Sequence, residues 1–147
     1  MIPPQLRAIA GVLVGIAVGF LTMQTIQHLS PYQPPDGVSI DSGSAFNDWV
    51  SSLTVDAYLY FLGSFFAAGL IGPFLTGWFT RATRYTVAPL LAGFVLIILA
   101  IGLFLAFNHP EWLTYASCIG TMLCAAAGGW LGRRLPALLK YAFTILW

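Results

Sequence analysis

The sequence predicts an all-α integral membrane protein, a four-helix transmembrane bundle, on three observations. Only 7% of its residues are charged and 59% are hydrophobic, with a mean hydropathy of +0.84, whereas about a quarter of the residues of a soluble domain carry charge. Four apolar runs, Ala8 to Ile26, Ala57 to Phe79, Val87 to Phe107 and Tyr115 to Leu131, are each long enough to cross a hydrocarbon layer of about 30 Å as a helix. The charges also separate by sign: Arg7, Arg81, Arg84, Arg133, Arg134 and Lys140 fall on one side of this pattern, and Asp36, Asp41, Asp48, Asp56 and Glu111 on the other. Helices are favoured over strands because backbone amides in lipid must be satisfied within the segment and no run alternates with a period of two. The positive-inside rule puts both termini in the cytoplasm. In 147 residues the spans fill a single domain, 1–147, and leave no room for a large extramembrane one.

The first span carries "GVLVGIAVG", with Gly11, Gly15 and Gly19 at every fourth position. Glycine costs about 1 kcal/mol relative to alanine in a soluble helix, but in lipid, association depends on close packing and small residues let backbones approach. These three therefore form a glycine zipper, filled from within the chain or by another molecule. A secretory signal would be shorter and would end in a small-x-small site. This run continues through Met23 and Ile26 and reads as a retained helix.

The connection 27–56 opens with "HLSPYQPPDG", whose prolines favour an extended path. In "SAFNDWVSSL" the residues Ala45, Phe46, Trp49, Val50 and Leu53 recur at helical spacing with Ser44 as N-cap. This predicts a short amphipathic periplasmic helix, a lid on the bundle or a docking surface, with Trp49 as an interface anchor.

The second span has small faces at Gly63 with Ala67 and Ala68 with Gly72. Pro73 within it removes a backbone hydrogen bond and should bend or loosen the helix; such breaks mark binding sites in some transporters. The third span is bulky except at Ala92, Gly93, Ala100 and Gly102. The expectation is that the first, second and fourth spans form the tight core and the third presents more surface to lipid. His109-Pro110 ends the third span and Trp112 anchors the start of the fourth. In the fourth, Ala125 with Gly129 and Gly128 with Gly132 repeat the small-residue pattern, and Cys118 and Cys124, six positions apart, fall on different faces as packing residues. Arg133, Arg134, Pro136 and Lys140 interrupt the rest, which predicts a cytoplasmic tail, 132–147, lying along the interface with Trp147 as anchor or touching a partner.

Chemistry is sparse. No span holds Asp, Glu, Lys, Arg or His, the groups a proton- or ion-coupled carrier needs, and no polar stripe suggests a pore. On the outer side His28, His109 and Glu111, with Asp36 or Asp41, are the candidates for a metal site, although the spacing does not enforce one. Ser39 and Ser42 lack a histidine nearby in sequence, and no phosphate loop, paired carboxylates or heme-attachment motif is present. No catalytic residue and no cofactor is expected, and nothing suggests nucleic acid.

With "QHLSPYQPP", "SLTVDAY", "NHPEW" and "GGWLGRR", the chain resembles a loosely defined group of small four-span bacterial membrane proteins of unknown function. The resemblance implies a bacterial inner-membrane location with outer loops in the periplasm. The expected role is that of a noncatalytic accessory, scaffold or assembly subunit acting through helix packing, whose partners are the bilayer and another membrane protein or further copies. The alternatives are a homo-oligomeric transporter or channel, and a periplasm-facing metal-binding protein or enzyme.

Overall fold

The computed structural model describes residues 3–81 and 86–146; for Ile40 and 136–146 the description is of the backbone alone. Arg84 and the anchor expected at Trp147 lie outside the described residues, as do the side chains of Pro136 and Lys140. All described regular structure is helical: α1 (Pro4–His28), a 3-10 turn (Ile40–Ser42), α2 (Ser44–Ser51), α3 (Val55–Thr80), α4 (Ala88–Ala106) and α5 (Glu111–Leu146).

Among the described residues three helices, α1, α3 and α4, are long and apolar enough to cross a membrane. The run 115–131 in α5 is not among them, being rich in Ala, Gly, Ser and Thr instead of Leu and Ile. Nor does a separate tail follow it. The helix continues past Arg133, Arg134 and Pro136 to Leu146, because an internal proline deletes one rung of the ladder while Ala137, Leu138 and Leu139 after it are strong helix formers. Pro73 likewise leaves α3 continuous. At α2 the expected Ser44 cap is replaced by Gly43, at φ 57° and with no side-chain cap bond; the reciprocal Ser39 and Ser42 bonds instead close the 3-10 turn before it.

The central helix is α3. Arg7 reaches Phe79 at one end of α1 and Gln27 reaches Ser64 at the other, so α1 and α3 are antiparallel. Tyr58 stacks edge-on to Trp112 while Arg133 reaches Thr80, so α3 and α5 run parallel. The helix α4 touches α1, α3 and α5, but among the described residues α1 and α5 do not meet. The most extensive pairings are α1 with α3 and α3 with α5, so the tight seams do lie among the first, second and fourth spans, with α3 standing between the other two. The third span is also less exposed than expected, since 39% of α4's apolar window is buried against 28% of α1's. Its small residues Ala88, Ala92, Gly93 and Ala100 all face inward, whereas α1 has one covered face.

Two seams explain the packing. On α1 the buried residues are Ala8, Gly11, Gly15, Gly19 and Met23; on α3, Ser64, Ala68, Gly72, Thr76 and Thr80 repeat at every fourth position and are buried. These rows interlock. A Cβ built on Gly15 would lie 2.7 Å from the Gly72 carbonyl oxygen, and one on Gly72 would strike the Gly15 carbonyl. The second seam joins α3 to α5, where Gly128 lies on the Leu70 carbonyl, Gly132 on the Phe74 carbonyl and Gly77 on the Gly129 carbonyl, while Gly129 also abuts the Pro89 ring of α4. Gly63, assigned to packing from the sequence, meets nothing within 4 Å because it points away from both seams.

Polar stripes do exist, contrary to expectation, but as packing. Ser64, Thr76 and Thr80 of α3 and Ser117 and Thr121 of α5 are buried. Short hydroxyls fit where backbones approach closely, and Thr76 Oγ1 lies 3.0 Å from the Gly11 carbonyl and 3.3 Å from that of Gly72. Ser117 Oγ and Thr121 Oγ1 have no hydrogen-bond partner.

Candidate ligand-binding chamber

The acidic end of the bundle, which carries Asp36, Asp41, Asp48, Asp56 and Glu111, also carries the long connection between α1 and α3. α1 ends at His28, and the carboxamide of Gln33 sits 3.0 Å from each of the Gln27, His28 and Ser30 carbonyl oxygens. The Gln27 carbonyl also accepts from the Ser30 amide at 3.1 Å, so the Gln33 side chain adds to the capping of the helix end. The chain then crosses the bundle through Pro31, Pro34 and Pro35 into the 3-10 turn and α2.

The backbone of α2 stands away from every other helix and approaches only the 3-10 turn. Side chains hold it in place. Tyr58 Oη donates to the Val50 carbonyl at 2.7 Å, and the Asn108 amide donates to Asn47 Oδ1 at 3.1 Å. The Phe46 ring packs on Phe107 with centroids 4.8 Å apart, and Leu53 adds to the cluster of Tyr58, Leu62 and Leu113. Because the lid is propped on side chains, a half-open chamber of about 430 Å³ lies beneath it, within the roughly 300–1,000 Å³ of small-molecule sites.

Phe46, Trp49 and Val50 form the roof of the chamber, Gln24, Gln27 and His28 the α1 wall, and Phe61, Phe65 and Phe104 the apolar side. Among the described residues no Asp, Glu, Lys or Arg lines it. Gln27 Nε2 donates to Ser64 Oγ at 3.0 Å, and the exposed Gln24 and His28 side chains border the same chamber. The surface thus combines aromatic faces with a few uncharged polar groups, a lining suited to a neutral guest.

The candidate metal ligands are placed as follows. His28 and His109 both border the chamber, and Glu111 does not. The His109 ring is engaged at both nitrogens, Nδ1 2.7 Å from the Phe107 carbonyl and Nε2 2.6 Å from Thr114 Oγ1, so it ties off the α4–α5 connection. Among the described residues no group of three or more His, Cys, Asp or Glu is placed to hold a metal ion. Trp49 lies half-buried against the chamber, and Trp112 is exposed beside Tyr58.

The sequence reading had not singled out Tyr58, Gln24, Gln27 or Gln33. A signal existed for two of them: Gln24 and Gln27 sit three apart in the last turns of an otherwise apolar helix, and so share a face. Comparison with known proteins finds no matching family model, no matching curated protein and no matching solved structure.

Proposed function

We propose that this chain is a noncatalytic four-pass protein of the bacterial inner membrane that holds an uncharged amphiphile in the chamber beneath α2. The observation that carries the reading is the lidded cavity itself, aromatic and amide-lined with no ionised side chain among the described residues of its wall. Burying a charge there without a partner would be strongly unfavourable, whereas a neutral head group finds hydrogen bonds at Gln24 and His28 and its tail finds Phe61, Phe65 and Phe104. The fourth pass is α5, which runs parallel to α3 along its length and would return the chain to the side of Arg7 and Arg81.

The test is photo-crosslinking in nanodiscs with a diazirine-tailed diacylglycerol, followed by peptide mapping. Adducts are expected on α2 and on 24–28, and should disappear in Val50→Trp, which fills the chamber. Adducts confined to lipid-facing positions such as Leu13 and Leu99 would overturn the reading.

A second reading, an accessory or assembly subunit, is favoured by α1, where Leu6, Ile9 and Leu13 are more than half exposed along one face and are available to a partner helix. Native mass measurement after mild extraction tests it. A particle containing one chain and no other protein would exclude it.

A further inference from the structure

We propose that the groove at the basic end of the bundle, between α4 and α5, is a binding site for an anionic phospholipid. This end is opposite the chamber, and the site does not depend on what the chamber binds. The groove encloses about 490 Å³; Arg81, Arg133 and Arg134 border it, and its trough is made by Pro89, Leu90, Ala126 and Trp130. A guanidinium cluster beside an apolar trough matches a phosphate that carries acyl chains.

The arginines are held by the bundle. The Arg81 guanidinium carbon lies 5.2 Å from the Trp78 ring centroid and that of Arg134 5.2 Å from the Trp130 centroid, close enough for cation–π attraction. Arg133 donates to the Thr80 carbonyl at 3.3 Å. All five Asp and Glu side chains of the chain lie between 36 and 56 or at 111, at the other end of the helices. In addition, α4 begins at Ala88 without a side-chain cap, and Thr86 and Pro89 border the groove, which adds the positive end of a helix dipole.

A soluble phosphate would be served by the arginines alone. The trough argues for a lipid: Leu90 is 40% and Trp130 53% exposed, and Leu90 lies in the first turn of α4, a helix apolar enough to cross a membrane. Basic pockets between transmembrane helices are recognised sites of anionic head groups, each cation contributing about 1 kcal/mol near the surface.

The experiment is native mass spectrometry of the full chain titrated with phosphatidylglycerol, with phosphatidylcholine of the same acyl chains, and with inorganic phosphate as competitor. Phosphatidylglycerol is expected to bind about 10- to 100-fold more tightly than phosphatidylcholine. The triple variant Arg81→Gln, Arg133→Gln, Arg134→Gln should abolish that preference. Because removing arginines can also disturb insertion, Ala126→Trp provides a second arm: it fills the trough, keeps the charge, and should weaken phosphatidylglycerol binding at least about 5-fold. Equal affinity for the two lipids, or a preference retained in the triple variant, would overturn the proposal. Displacement by millimolar inorganic phosphate, with no effect of Ala126→Trp, would identify a soluble-anion site and overturn it as well.

Discussion

Gly63 and Gly72 share helix α3 but not surroundings. At Gly72 an added methyl group would strike the Gly15 carbonyl, and at Gly63 it would enter open space. Gly72→Ala should therefore force two backbones apart and destabilise the protein by about 1–3 kcal/mol, whereas Gly63→Ala should be neutral or stabilising by up to about 1 kcal/mol. Thermal unfolding in a mild detergent separates the two, and equal shifts would show that the seam is not under steric control. Thr76→Val keeps the shape and removes the hydroxyl shared between the Gly11 and Gly72 carbonyls. Its expected loss is about 0.5–2 kcal/mol, measured in the same unfolding experiment. The glycine repeat on α1 was legible because its spacing is local. The row it meets was only half visible, since Ala68 and Gly72 announce themselves as small while Thr76 and Thr80 become packing residues only once α1 lies on them.

Among the elements, α2 is the one whose stability rests on few contacts. Tyr58→Phe removes its buried hydrogen bond to Val50 with almost no change in volume. A neutral hydrogen bond contributes about 0.5–1.5 kcal/mol, so amide exchange across 44–51 should quicken by roughly 2- to 10-fold while exchange in α3 and α4 stays unchanged. Uniform acceleration would mean that Tyr58 supports the whole bundle and not the lid. The amphipathic face of α2 could be read from Phe46, Trp49, Val50 and Leu53, because a periodicity of 3.6 needs no knowledge of neighbours. The chamber could not. Its wall draws on the end of α1, the connection after it, the start of α3 and the end of α4, and only the folded topology brings these together. The tail failed for a related reason: Pro136 and the charges before it look like an ending, yet a helix already docked on α3 tolerates one missing rung.

For the molecule as a whole, the separation of acids from bases predicts its orientation. With Cys118 and Cys124 replaced by alanine, a membrane-impermeant maleimide added outside intact cells should label Asp41→Cys and should leave Arg133→Cys unlabelled. Labelling of Arg133→Cys from outside would remove the fourth pass or invert the bundle. Composition announced the helical, apolar character of the chain because the bilayer imposes one constraint on every span, whereas the order of packing around α3 depends on which small faces match. That order has a consequence for synthesis. A nascent chain completes the α1–α3 hairpin first, leaving Gly69 and Gly77 on the far side of α3 bare until the ribosome has delivered α5. During that interval the same helix of a neighbouring copy fits equally well. Rapid overproduction should therefore favour interlocked, exchanged dimers, and slowing translation should return the protein to single chains.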